Sequence, residues 1–271
     1  MQNQVMQMKM KQAQRAQRGF SLLEMIIVVS ILTIVMAGVF SMMNTAQKRY
    51  SVEDTKLDLQ QESREFLDQV IRDLHQAGFP NTRMYDTTPT GGESSAKVAV
   101  GLVRVSHTDI IFEGDVNGDG IVDSVRYQLL TSGGTCPCTL QRSQVDKVDG
   151  TAPDQQGTNF SAQVQRVLNS NGTGNSPLTI SGTTLGTSND TKYASYKAAP
   201  LFEFYDQNGV IVSGIPNDLA TANTGNSATL LASIRSVRVT INSFASSIDQ
   251  VNRAYPAISM TSSARIANNR L

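Results

Sequence analysis

The chain of 271 residues has no tryptophan, two cysteines and two histidines. Two cysteines exclude a disulfide-dense scaffold. His75 and His107, far apart in sequence, are poor material for a metal or catalytic centre and read as surface or packing residues. The serine-hydrolase elbow, the zinc-protease helix motif and the phosphate-binding loop are all missing, and Glu203 and Asp206, which flank a turn, do not define a glycosidase pair. No enzymatic activity is expected. Formal net charge is zero. Residues 1–19 hold Lys9, Lys11, Arg15 and Arg18 and no acid; taking these four from the 23 basic residues leaves 19 against 23 acidic ones. That balance gives no general ground for nucleic-acid binding. Proline is missing before Pro80, and Gly38 is the only glycine between Phe20 and Ala77. With so few breakers, nothing interrupts a helix across that stretch.

What is present is a basic leader followed by an apolar run. Phe20 to Phe40 is 21 residues with one charge, Glu24. A helix of that length rises about 31 Å, the thickness of a bilayer core. Positive charge on the N-terminal flank places residues 1–19 in the cytoplasm and the bulk of the chain outside it. A carboxylate at a helix centre in lipid costs about 2.5–3.5 kcal/mol on insertion scales, so its retention asks for a partner. A secretory signal cut near Ala37-Gly38 and a plain single-pass anchor both fit the hydropathy. Neither explains Gly19-Phe20 at the start of the run or the early Glu24.

The residues GFSLLEMIIVVSIL resemble the class III prepilin leader. The resemblance implies cleavage after Gly19 by a prepilin peptidase and N-methylation of the new terminal residue, Phe20. It also implies that Glu24, the fifth mature residue, pairs with the terminal amine of a neighbouring subunit. The physics agrees: a helix N-terminus carries roughly half a positive charge, the amine adds a full one, and a carboxylate one turn on neutralises it.

The helix is expected over about 20–77, with Leu67, Ile71 and Leu74 on one stripe and Phe66 and Val70 bordering it. Gly78 and Pro80 are its stop signals. Short alternating strands follow: 98–105, 109–113, 123–130, 138–144, 201–205, 210–213, 233–242 and 257–267, with Asp206-Gln207-Asn208-Gly209 as a hairpin turn. The expected class is α+β, one long helix packed on an antiparallel sheet. Its divisions are a leader at 1–19, a transmembrane and assembly helix at 20–78, and a β-rich head at 79–271 with a flexible loop at 145–198. Within that loop, 18 of the 23 residues 169–191 are Gly, Ser, Thr or Asn, too little apolar surface to offset ordering.

LDLQQESREFLDQVIRDLHQAGFP, VRYQL, LFEFYDQNG, IRSVRVTI and ARIANN are similar, in this order, to PilW-type minor pilins and the related J-type pseudopilins. The resemblance implies a type IV pilin-like fold and a subunit that primes a pilus or sits near its tip, or the equivalent in a type II secretion pseudopilus. The implied partners are other minor and major pilins or pseudopilins, the prepilin peptidase and the inner membrane, with final placement at the cell surface. A membrane-anchored adhesion module is the reading of a different class.

Two further features carry chemistry. Asp115, Asn117, Asp119 and Asp123 put oxygen side chains at positions 1, 3, 5 and 9 of a loop, with Gly120 at 6 and the Ile121 carbonyl at 7. This is the order of a Ca²⁺ loop, but position 12 is Arg126, so a complete EF-hand is excluded. A plain Asn-Gly/Asp-Gly turn is the competing reading. Cys136-Pro137-Cys138 lies in what should be an oxidising compartment. A disulfide over one intervening residue is strained; partner-linked or reduced thiols are the alternatives, and a redox role has little support.

Overall fold

A computed structural model describes residues 19–81, 95–132, 135–150, 159–169, 179–180, 183–184, 191–218, 226–245, 247–249 and 252–269. The leader residues 1–18 and most of 169–191 therefore lie outside the described residues. The chain divides into two compact units, Met1–Ser51 and Val52–Leu271.

Helix α1 runs Leu22–Gln76 without interruption, as the scarcity of breakers predicts. In the first unit its apolar side chains, Leu22 to Met43, are exposed. Ser30 and Thr33 return their hydroxyls to the carbonyls of Ile26 and Val29, each at 2.7 Å. These bonds hide the two hydroxyls from an apolar surround, and they leave Glu24 as the one ionisable group between Phe20 and Phe40.

The second unit is a sheet wrapped on the C-terminal part of α1. Its strands are β1 (Leu102–Val105), β2 (Asp109–Gly114), β3 (Asp123–Ser132), β4 (Thr135–Asp146), β5 (Ser161–Val167), β8 (Phe202–Tyr205), β9 (Ser236–Phe244) and β10 (Ala257–Arg265). A separate two-stranded pair joins β6 (Thr179–Ile180) to β7 (Thr183–Thr184). The main sheet runs β1-β2-β3-β4-β5-β9-β10 with β8 also on β9, and all these pairings are antiparallel. Two short helices, α2 (Ala194–Ala198) and α3 (Ala228–Ser233), link strands.

The helix buries Leu59, Ser63, Phe66, Leu67, Val70, Asp73 and Leu74. The stripe thus includes Phe66 and Val70, expected at its border, and Ile71, expected on it, is only partly buried. Phe66 meets the Tyr127 ring edge-on at 5.5 Å, and Ser63 Oγ lies 2.9 Å from Ser243 Oγ. Each fully buried apolar side chain contributes about 1.5–3 kcal/mol, so packing rather than propensity fixes this end of α1. Gly78 closes it at φ +78°, with its N–H donated to the Glu113 carbonyl at 2.8 Å.

Several expected strands change. The 98–105 run pairs only from Leu102, because Gly101 turns at φ +82° beside Asn269. The 233–242 run begins at Ser236, because Ser227 caps α3 through Leu230 N–H. The 210–213 run reduces to a single bridge, Tyr205 to Ile211. The flexible loop at 145–198 needs correction: β5 lies inside it, joins β4 and β9, and buries Val164 and Val167. The strand expected over 138–144 extends to Thr135–Asp146, so Cys136 as well as Cys138 lies within β4.

Candidate functional site

The N-terminal site begins at the Gly19–Phe20 junction, which stands just outside the helix. Phe20 is exposed, and among the described residues a Cβ added at Gly19 would meet no atom within 4 Å. The first helical bond beyond it is Met25 N–H to the Ser21 carbonyl, 3.1 Å. Glu24 lies in the first turn of α1, where a carboxylate is favoured by the helix dipole. Glu24 follows Phe20 by four residues, one turn of helix.

The acidic loop joins β2 to β3. Asp115 Oδ1 accepts from Gly118 N–H at 2.7 Å and its Oδ2 from Gly120 N–H at 3.1 Å. Asn117 Oδ1 accepts from Asp119 N–H, and Asp119 Oδ1 from Ile121 N–H at 2.8 Å. Gly118 and Gly120 take φ +77° and +84°, values that suit glycine. Asp123 is buried at the start of β3, where Oδ2 accepts from Val116 N–H and Oδ1 from Gln144 Nε2. Burial pushes its carboxyl above the usual range against the pull of Gln144 and Val116. The structure thus brings all five residues into one loop but turns side-chain oxygens of Asp115, Asn117, Asp119 and Asp123 onto N–H groups. Among the described residues no three acidic, histidine or cysteine side chains gather around a common metal position.

Asp123 is also one end of a polar chain that sequence patterning missed. Gln144 accepts from Arg142 Nη2 at 2.9 Å, and Arg142 donates from Nε to Asp73 of α1 at 2.9 Å, with Nη2 in ion-pair contact with the same oxygen at 2.8 Å. Tyr127 donates its hydroxyl to the same Asp73 oxygen at 2.5 Å. Burial and then Asp73 hold the Tyr127 hydroxyl well above its ordinary range, so it remains a donor. Hydrogen bonds therefore run from the acidic loop through two strands to the helix. The clue in the sequence is position 73, an acid on the buried face one turn from Val70 and Ala77. Two other buried polar clusters stiffen the head: Lys147 with Glu113 at 2.8 Å, and Asp109 with Arg126. Burial outweighs Arg126 and raises the Asp109 carboxyl.

His75 and His107 face the carbonyls of Arg265 and Phe202, in packing roles. Glu203 meets Arg238 and the Tyr205 hydroxyl. Asp206 Oδ1 accepts from Asn208 and Val210 N–H, closing the expected turn at Gly209.

A long N-terminal helix followed by an antiparallel sheet is an α+β fold of the type IV pilin kind. Residues 14–40 match the family described as the prokaryotic N-terminal methylation motif, which supports a type IV pilin-like or pseudopilin-like protein. That motif belongs to structural subunits rather than enzymes, and it implies processing by a prepilin peptidase and assembly with other pilins. The α1 segment behind it is long and apolar enough to cross a membrane and points to anchoring in the inner one. Searches of curated proteins and of solved structures returned no match.

Proposed function

We propose that the chain is a minor pilin, a structural subunit that primes assembly of a type IV pilus or sits near its tip. The observation that carries this reading is the exposed Gly19–Phe20 junction with Glu24 one turn inside an apolar helix. Cleavage after Gly19 releases the Phe20 amine, which is then methylated. In the membrane, Glu24 of one subunit neutralises that amine on the next. Two opposite charges at about 4 Å attract far more strongly in an apolar surround than in water, so the pairing guides a subunit to the growing base. The bulk of the head favours a tip or initiation position over a repeating shaft position.

A pseudopilin at the tip of a type II secretion pseudopilus uses the same membrane logic. A deletion strain separates them: loss of twitching and surface filaments supports the pilus, and loss of exoprotein secretion supports the pseudopilus. A membrane-anchored adhesion module is the outcome if the leader stays uncut and the protein stays alone in the inner membrane.

A separable part of the proposal is that the 115–123 loop takes Ca²⁺ to stiffen the head, using Asp115, Asn117, Asp119, Asp123 and the Ile121 carbonyl. The order of oxygen side chains and the sharp turn at Gly120 support it. The side-chain bonds to loop N–H groups account for the turn without an ion, and Asp123 would have to give up part of its bonding to Gln144 or Val116. Affinity is therefore weak, near the ~10⁻⁴–10⁻³ M of extracellular modules.

A further inference from the structure

The two cysteines form a compact pair at the start of β4. Side chains two residues apart on a strand share a face. Cys136 and Cys138 both turn into the core, 0% and 1% exposed, and their sulfurs lie 3.6 Å apart. Cys136 Sγ is also 3.5 Å from the Leu168 carbonyl, and Cys138 stands opposite Val167 of β5. The pair is thus enclosed by the end of β5, and the two sulfurs face each other across the buried side of one strand. A bonded pair needs a separation of about 2.05 Å, so the two sulfurs must approach from the 3.6 Å seen.

We propose that Cys136 and Cys138 are joined as an intrachain disulfide in the exported protein. This rests on the reading that places the head outside the cytoplasm, where disulfides form and persist. The oxidant is an exported thiol–disulfide oxidoreductase in its disulfide form. One cysteine, as the thiolate, attacks a carrier sulfur; the carrier S–S bond breaks and a mixed disulfide forms. The second thiolate attacks the sulfur of the first cysteine and displaces the carrier. Each cysteine gives up its proton, two electrons pass to the carrier, and the carrier leaves as a dithiol.

The fold also sets the timing. In the closed sheet, the hydrogen bond between the two sulfurs and then burial hold the Cys138 thiol far above its usual range. The thiolate is the reactive form, and both sulfurs are buried under the end of β5, so a carrier reaches them before β5 covers the start of β4. Once covered, the bond is shielded from reductants. Because the closed loop is so short, the bond constrains the unfolded chain little. Its consequence is chemical: it removes two thiols that would otherwise exchange with other chains during export.

The test uses the full chain from membranes of cells quenched in acid. The protein is denatured and alkylated with N-ethylmaleimide, with and without prior reduction, and the tryptic peptide 127–142 is weighed. The expected result is no adduct before reduction, a peptide lighter by two hydrogens than the dithiol, and two adducts after reduction. Two adducts without reduction, or a peptide linked to another chain, overturns the proposal. Protease treatment of spheroplasts separates the causes. A digested head with alkylated cysteines sinks the disulfide alone; a protected head sinks the external placement and the disulfide with it.

Discussion

Replacing Asp73 with alanine should cost about 3 kcal/mol of unfolding free energy. One carboxylate oxygen accepts from the Tyr127 hydroxyl at 2.5 Å and from Arg142 Nε at 2.9 Å, and Arg142 Nη2 lies 2.8 Å from it as an ion pair. Removing one member of a buried ion pair costs about 3–5 kcal/mol, because the other charge is left without compensation. Two features place this case at the low end. The Arg142 side chain keeps 13% of its exposure, and it retains Gln144 at 2.9 Å. The Tyr127 bond, worth about 1.5–3 kcal/mol as a bond to a charged group, overlaps the same oxygen and is not added in full. Tyr127→Phe removes only that bond and should cost about 1.5 kcal/mol. Urea unfolding of the detergent-solubilised chain, followed by circular dichroism, measures each loss, and a double-mutant cycle measures their coupling. For a folded unit of this size, a 3 kcal/mol loss lowers the thermal midpoint by about 6–12 °C. A loss below about 1 kcal/mol for Asp73→Ala, or no coupling in the cycle, would refute the view that this cluster ties α1 to the sheet.

Further perturbations probe other parts of the molecule. Gly78→Ala places a Cβ 2.1 Å from the Asn268 carbonyl oxygen at a positive φ, whereas Gly209→Ala meets only open space at a similar φ. The backbone strain alone is about 1–2 kcal/mol in both, so Gly78→Ala must lose clearly more in the same unfolding assay; equal losses contradict the tail packing. The Asp206 carboxyl is held below its ordinary 3.8 by the Val210 N–H and its neighbours in the turn, so its contribution to stability is present above pH 3.8 and lost as pH falls through the folded value. An NMR titration giving 3.8 or higher, or an Asp206→Ala deficit that does not shrink in acid, counts against that turn. Isothermal calorimetry should show weak Ca²⁺ heat in the wild type and none in Asp119→Ala; no heat in the wild type removes the metal reading. Glu24→Ala should insert and be processed yet enter filaments poorly, and normal incorporation, scored by immunoblot of sheared pili, removes the role given to Glu24.

How much was legible follows from which signals are local. Helix α1 could be read from the absence of breakers between Phe20 and Ala77 and from Gly78, whose positive φ is a local demand. Strands β2, β3, β8 and β10 announce themselves through apolar side chains and turn residues within a few positions. Strand β5 does not. Its register on β4 shifts twice, Arg166 sits at φ 57°, and its buried valines are three apart, so the period-two pattern is lost. The Asp73 cluster was illegible for another reason: its members come from three elements, and only the fold brings positions 73, 127, 142 and 144 together. The acidic loop shows both sides, since its residue order was plain but the hydrogen bond that Asp123 accepts from Gln144 comes from the neighbouring strand. At the N-terminus the signal is carried by consecutive residues, so the motif over 14–40 is legible in local sequence, and the roles proposed for Gly19, Phe20 and Glu24 rest on it.

The central claim is that the mature subunit begins at Phe20 with its charge balanced by Glu24 of a neighbour. Intact-mass and N-terminal peptide spectrometry of the protein recovered from membranes tests this directly. The account predicts a chain that starts at N-methylated Phe20 and lacks residues 1–19. A chain that still begins at Met1, or one cut near Ala37-Gly38, would contradict it.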